Sequence, residues 1–206
     1  MNKILINLSR LLLAGIIIYE LLNQFKILHQ PLTFTWIGLA ITAIFVWIIL
    51  ETASLYTRKK CGRPIPGLVM LAAVGVIYFD ALGDIFHLYA NYGWYDQLAH
   101  FLGGAAVGGI IFSIVRSLLD CQHIRLGAFG AGFFSWTTAA FFSVLYELEE
   151  YFEDYFAGRI AAGYTLRLGD GPDTANDLFL DLTGSLLIIV IASVIYYVYH
   201  RKHSAN

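Results

Sequence analysis

Residues 177–199 read DLFLDLTGSLLIIVIASVIYYVY, an apolar block of 23 residues with two charged side chains, Asp177 and Asp181. A helix rises about 1.5 Å per residue, so a block of this length crosses the roughly 30 Å of hydrocarbon in a bilayer. Strands of outer-membrane barrels are shorter and alternate apolar with polar residues, which this block does not do. The stretch therefore predicts a transmembrane α-helix with two aspartates near its start.

Similar apolar blocks recur along the whole chain of 206 residues, of which 58% are hydrophobic and only 14% are charged. Soluble domains carry about 25% charged residues, and the mean hydropathy here is +0.67. The sequence predicts an all-α, polytopic membrane helix bundle that forms a single integral membrane domain over residues 1–206. The six predicted spans are 8–25, 34–56, 67–89, 97–118, 126–146 and 177–199.

Basic residues indicate the orientation of the bundle, because Lys and Arg in short loops mark the cytoplasmic side. Most of them lie in the connections at 57–66 and 117–125 and at the two termini. We therefore predict cytoplasmic termini for a multi-pass membrane protein. Cys61 and Cys121 fall in the same connections, where thiols stay reduced. The sequence predicts that neither cysteine forms a structural disulfide.

The acidic residues are distributed differently. All of the 15 except Glu51 and Asp120 map to the opposite face or to the outer half of a span. A carboxylate at membrane depth is costly unless it is paired, protonated or bound to a cation. Asp80 is the sharpest case, since the rise per residue places it about 13 Å deep. Too few basic residues map to that face to neutralise so many acids, so the sequence predicts a bound cation.

Four segments bring carboxylates and imidazoles to this face, and helical spacing places each set along one stripe. The sets are Asp80, Asp84 and His87; Asp96 and His100; Glu147, Glu150 and Asp154; and Asp173, Asp177 and Asp181. Oxygen donors with one or two imidazoles suit Mg, Mn, Fe or Zn. Packed helices that project such residues inward form the two-metal centres of ferritin-like proteins. We therefore predict a divalent metal cofactor whose identity the sequence leaves open.

Each predicted site residue receives a role. The predicted metal ligands are Asp84, Asp96, His100, Glu147, Glu150, Asp173, Asp177 and Asp181, and the predicted catalytic residues are Asp84, His87, Asp96 and His100. Arg159 and Arg167, the only arginines on this face, are predicted to hold a substrate phosphate. Simpler roles remain open: Thr174 and Asp177 fit a capping box, and Asp96 and His100 fit an intrahelical hydrogen bond.

Small residues follow the predicted ligands. Gly104 and Gly108 come shortly after His100 on the predicted fourth span. Small residues let membrane helices approach each other closely. Such an approach is expected to bring Asp96 and His100 near the other acids.

The motifs resemble a known family. The series Asp84…Asp96-x-x-x-His100-Phe-x-Gly-Gly104, Glu147-x-x-Glu150 and Gly169-Asp170-x-x-Asp173-Thr-x-x-Asp177-x-x-x-Asp181-x-x-Gly184 resembles the YjdF-like bacterial inner-membrane family over residues 80–184. More distantly, it is similar to VanZ-type proteins, which have an acid and a histidine at the head of one span and a later Asp-rich helix. The first resemblance implies a multi-span membrane fold. The second implies a link with glycopeptide resistance and cell-envelope lipids.

Three functions fit these features. The first is a metal-dependent lipid hydrolase or transferase at the outer leaflet, with a membrane lipid and no nucleic acid as its partner. The second is an ion- or proton-coupled transporter that uses Asp80, and the third is a non-catalytic envelope factor with a structural metal. A transporter needs a polar path through the whole membrane, yet Glu51 is the only acid near the cytoplasmic ends of the spans. The sequence favours a one-sided site, and it leaves the oligomeric state open.

Overall fold

The structure is a computed structural model, and it describes residues 2–32, 35–62, 64–157 and 171–203. The described residues form seven α-helices. They are α1 (Asn2–Gln24), α2 (Trp36–Cys61), α3 (Gly67–Ile85), α4 (Leu88–Asn91), α5 (Gly93–Cys121), α6 (Ala128–Ala157) and α7 (Gly171–His203). All of them except the four-residue α4 contain a stretch long and apolar enough to cross a membrane. The predicted all-α bundle of six membrane-spanning helices is therefore confirmed.

The helix bounds differ from the predicted spans mainly at one face. α6 continues to Ala157 and α7 begins at Gly171, so both helices extend beyond the apolar blocks that predicted them. α3 is shorter than predicted, because the backbone of His87 adopts the left-handed conformation with a φ of 56°. Asp80 and Asp84 thus stay on one helix. His87 leaves it, and the predicted stripe of three residues does not continue to the histidine.

Short connections make consecutive spans run in opposite directions, so helix ends alternate between two faces of the bundle. We call the face where α5 begins near Asp96 and α7 begins near Asp177 the acidic end. We call the opposite face, where α2 finishes with Arg58, Lys59 and Lys60 in its last turn, the basic end. α1 packs against α2 and α3, α5 packs against α6 and α7, and α3 joins the two groups by packing against α5.

Both acidic residues near the basic end are paired with arginine. Arg10 of α1 donates two hydrogen bonds of 2.6 Å to the carboxylate of Glu51 on α2. Arg116 lies 3.3 Å from Asp120, whose carboxylate also accepts a hydrogen bond of 2.7 Å from Tyr196 of α7. These pairs neutralise the charge of the acids at this end and tie α1 to α2 and α5 to α7.

The structure contradicts the prediction that neither cysteine forms a disulfide. Cys61 and Cys121 form a disulfide, with their Cα atoms 5.3 Å apart. The two residues end α2 and α5, which meet at the basic end although 60 positions separate them in the sequence. The prediction of free thiols was wrong because it considered only the compartment. The proximity of the two helix ends is a tertiary feature that cysteine spacing does not reveal.

An apolar cluster fills the basic half of the bundle. Its most deeply buried members are Leu13 of α1, Leu50 of α2, and Met70 and Val74 of α3, each no more than 1% exposed. Ile110 of α5 completes the contact between the two groups of helices. Most of the acidic residues lie at the other end, in agreement with a one-sided site.

The orientation can be tested by cysteine labelling in a background of Cys61→Ser and Cys121→Ser. Gly93→Cys lies at the acidic end, where an added side chain meets no neighbouring atom, and Lys59→Cys lies at the basic end. A membrane-impermeant maleimide applied to intact bacteria should label Gly93→Cys, and it should label Lys59→Cys only after permeabilisation. The cysteine-free background is the control. Labelling of Lys59→Cys in intact cells would reverse the proposed orientation.

Candidate metal centre

A single imidazole lies at the centre of the acidic end. His100 of α5 is 7% exposed and is surrounded by carboxylates of α5, α6 and α7. Its Nε2 atom lies 3.8 Å from Asp96 Oδ1 and 3.9 Å from Asp177 Oδ2. Its Nδ1 atom lies 3.8 Å from Glu147 Oε1 and 3.7 Å from Asp181 Oδ1. Each edge of the ring therefore faces two carboxylates.

These separations suit shared ligands of a cation better than direct hydrogen bonds. Hydrogen bonds from nitrogen to oxygen are about 2.7–3.2 Å long, which is shorter than any of the four distances. Nitrogen and oxygen ligands lie about 2.0–2.2 Å from a zinc ion, so two ligands of one ion stand more than 3 Å apart. Two groups in the described part of the chain have this compactness, each with its ligand atoms within 4.8 Å of one another. They are Asp96, His100 and Asp177, which we call the mouth group, and His100, Glu147 and Glu150, which we call the inner group.

The carboxylates of the centre are buried, and among the described residues some of their oxygens have no hydrogen-bond partner. Glu147, Glu150, Asp177 and Asp181 are each no more than 6% exposed. Within the described residues, both oxygens of Glu147 and the Oδ1 atom of Asp177 lack a hydrogen-bond partner. A buried carboxylate without a partner costs several kcal/mol unless it takes up a proton or a cation. The residues present therefore fit a cation.

Close contact between α5 and α7 holds the centre together. A Cβ atom at Gly104 of α5 would overlap the backbone of Asp181, and a Cβ atom at Gly184 of α7 would overlap the backbone of Phe101. The absence of side chains at these glycines lets the two backbones touch, as the spacing of small residues predicts. The contact lies next to Asp181 and within one turn of His100, so it fixes the distance between the imidazole and the aspartates.

α6 is fixed to the same pair of helices by polar and aromatic contacts. Trp136 donates a hydrogen bond of 3.0 Å from its indole to the carbonyl oxygen of Leu182 on α7. The ring of Tyr146 meets the imidazole of His100 edge to face, with 6.0 Å between the ring centres. These contacts place Glu147, the residue after Tyr146, beside His100. Sequence reasoning assigned no role to either aromatic residue.

A cleft lies beside the mouth group. The side chain of Asp96 is 37% exposed. The cleft, of about 510 Å³, is lined by Gln97, Pro172, Asp173 and Asn176, two of which directly follow Asp96 or precede Asp177. Asp173 thus lies near the centre, where its charge acts on Asp177.

The remaining predicted residues lie away from the two compact groups or outside the description. Asp84 is fully buried on α3, but among the described residues it belongs to neither group. His87 is half-buried and precedes α4. Arg159 and Arg167 lie outside the described residues.

Sequence reasoning missed one buried acid. Glu20 of α1 is fully buried. A charged residue in the middle of an apolar span is by itself a sign of function, so this signal was present in the sequence.

A pair of glycine substitutions tests the contact that holds the centre. Gly104→Ala places a methyl group against the backbone of Asp181, which cannot move as a side chain can. We expect a loss of about 1–3 kcal/mol in stability, typical of overpacking, seen as a lower thermal unfolding midpoint in detergent. Gly109→Ala is the matched control on the same helix, because its added methyl group lies 3.6 Å from Ile188, an ordinary contact. Equal midpoints for the two variants would show that the glycine contact does not hold α5 against α7.

Comparison with known proteins supports a membrane protein and identifies no activity. No curated protein and no solved structure shows a significant match to this chain. Residues 8–201 match the family described as "Predicted membrane protein (DUF2238)", a range that covers all six membrane-spanning helices in whole or in large part. The chain therefore belongs to the DUF2238 family of predicted membrane proteins.

Proposed function

We propose that this protein is a divalent-metal-dependent enzyme that acts on a lipid or phospholipid headgroup at the outer face of the bacterial inner membrane. The observation that carries the proposal is the surrounding of His100 by carboxylates from three helices, all but that of Asp96 buried, some of whose oxygens have no hydrogen-bond partner among the described residues. A site of this kind is too negative to stay unneutralised in a low-dielectric environment.

Cation binding is favoured over neutralisation by basic side chains. In the described part of the chain, no lysine or arginine pairs with Glu147, Asp177 or Asp181. At the basic end, in contrast, Glu51 and Asp120 each lie against an arginine. The same chain thus neutralises acids with arginine at one end and leaves them to face an imidazole at the other. A divalent cation supplies the missing positive charge directly.

The mouth group is the proposed position of the ion. Neutral imidazole has one acceptor nitrogen and one N–H donor, so His100 binds an ion through one nitrogen only. An ion held by Nε2, Asp96 and Asp177 leaves the Nδ1–H facing Asp181 and Glu147. This is the carboxylate–histidine–metal arrangement in which the outer carboxylate orients the ring and makes it a better ligand. The partly exposed side chain of Asp96 and the neighbouring cleft also favour the mouth group as the place where a substrate would meet the ion.

The chemistry follows from the class of ion. A bound divalent cation lowers the pKa of a coordinated water toward neutrality and polarises a phosphoryl or carbonyl oxygen. The exposed carboxylate of Asp96 is positioned to accept a proton at the cleft, while Asp177 and His100 remain buried. We propose that Arg159 and Arg167 bind the phosphate of the substrate. The more distant resemblance to VanZ-type proteins supports a cell-envelope lipid as the substrate class.

The alternative of a transporter receives less support from the packing. The apolar cluster around Leu13, Leu50 and Met70 fills the basic half of the bundle, and a transported ion would have to cross it. A non-catalytic factor with a structural metal would use the same ligands as the proposed enzyme. It differs only in lacking turnover, and this difference is measurable.

Ligand substitution tests the metal site. Asp177→Asn keeps the shape of a buried residue and removes its charge, and it should weaken Mn²⁺ or Zn²⁺ binding by about 10–100-fold or more, since even the loss of an outer-shell partner has that effect. It should also abolish the rise in unfolding temperature that the metal gives the unsubstituted protein. Glu51→Gln is the control, because it removes an equal charge from the basic end. Equal metal responses in both variants and the unsubstituted protein would exclude Asp177 as a ligand.

The same preparations test catalysis. Total bacterial phospholipid in mixed micelles should give a metal-dependent product that a chelator suppresses, that added metal restores, and that Asp177→Asn fails to form. Product analysis by mass spectrometry identifies the bond that breaks. Metal binding that is lost in Asp177→Asn, together with no product from any lipid, would indicate the structural-metal alternative.

A further inference from the structure

A second buried acidic site lies in the other half of the bundle, at α1 and α3. Glu20 is fully buried near the end of α1, one turn before its last residue, Gln24. Within the described residues, neither of its carboxyl oxygens has a hydrogen-bond partner. Ile16, one turn earlier on the same face of α1, belongs to an apolar cluster of α1, α2 and α3. The carboxyl group is therefore held where an isolated negative charge is strongly disfavoured.

A second acid lies on α3, the helix packed against α1. Asp80 of α3 interacts electrostatically with Glu20, and α1 packs directly against α3. The other titratable group that interacts with Glu20 is Tyr78, whose hydroxyl donates a hydrogen bond of 3.0 Å to the carbonyl oxygen of Leu12. The ionisable side chains of α2 lie toward the basic end, beginning at Glu51. No basic side chain in the described residues pairs with Glu20.

Asp80 has a hydrogen-bond donor beside it. The hydroxyl of Tyr89 donates a hydrogen bond of 2.7 Å to Asp80 Oδ1. Burial raises the pKa of Tyr89 well above its ordinary value, so the phenol keeps its proton and remains a donor. Within the described residues, neither carboxyl oxygen of Glu20 has a donor of this kind. Because nothing there compensates a negative charge on the buried Glu20, it is the member that carries the proton.

We propose that Glu20 and Asp80 form a proton-binding site, a carboxyl pair that holds one proton on Glu20 and is separate from the metal centre. Two carboxylates in a low-dielectric environment cannot both ionise without a large repulsive cost. The ligand of this site is a proton.

The proposed pair can be distinguished from a single carboxyl group that stays neutral only because it is buried. Removal of Asp80's charge eliminates the repulsion that helps to retain the proton on Glu20. Asp80→Asn should therefore let Glu20 lose its proton at lower pH. The same substitution would leave the behaviour of Glu20 unchanged if burial alone kept it neutral.

Dicyclohexylcarbodiimide provides the test, because it modifies protonated carboxyl groups in apolar surroundings. The full-length protein in detergent with a chelator, so that the metal centre does not contribute, should acquire an adduct at Glu20, located by peptide mass spectrometry. Labelling should decline as pH rises, and the midpoint of that decline should move to lower pH in Asp80→Asn. Glu20→Gln should lose the adduct. Glu51→Gln, which removes an arginine-paired carboxylate, should label at Glu20 like the unsubstituted protein.

Three results would overturn the proposal. The first is the absence of an adduct at Glu20 in slightly acidic solution, and the second is an unchanged midpoint in Asp80→Asn. The third is suppression of labelling by Na⁺ or K⁺ at fixed pH and ionic strength, which would make the pair a monovalent-cation site. None of them bears on metal binding by His100 and Asp177, which is measured separately.

Discussion

The contact of α5 with α7 at Gly104 and Gly184 is the feature on which the acidic end depends. There the two backbones meet without intervening side chains, and the contact places the imidazole of α5 within 4 Å of two aspartates on α7. α6 then adds Glu147 through the hydrogen bond between Trp136 and α7. A wider separation of α5 and α7 would remove the shared neighbourhood of His100, and the carboxylates would be separate acids on separate helices.

The consequence of that contact is a charge problem that the protein solves differently at its two ends. At the basic end, each acid lies against an arginine, and the helices between the ends are packed by an apolar cluster. At the acidic end, carboxylates from three helices face one histidine, and the charge of a bound cation is the simplest complement. The two nitrogen atoms of the imidazole face different pairs of carboxylates. Asp96 and Asp177 lie at the Nε2 edge, and Glu147 and Asp181 lie at the Nδ1 edge.

Some of this could be predicted from the sequence and some could not. Hydropathy is a local property, so residues 177–199 alone predicted a membrane helix, and the other five spans followed by the same reasoning. Helical spacing also grouped Asp177 with Asp181 and Asp96 with His100. The disulfide between Cys61 and Cys121 depends on which helix ends meet, and the end of α3 depends on the left-handed backbone of His87. Neither is encoded in a local pattern. Glu20 had a readable signal, an acid inside an apolar span, and its significance became clear only from its neighbour Asp80.

The central claim is that a divalent cation sits at the Nε2 edge of His100, between Asp96 and Asp177. The most direct measurement is an anomalous difference map from crystals of the protein soaked in Mn²⁺, recorded at a wavelength where manganese scatters anomalously. The account predicts a peak within coordination distance of His100 Nε2, Asp96 and Asp177, with the Nδ1 atom directed toward Asp181 and Glu147. A map with Mn²⁺ bound elsewhere in the molecule and no peak among these three residues would contradict it.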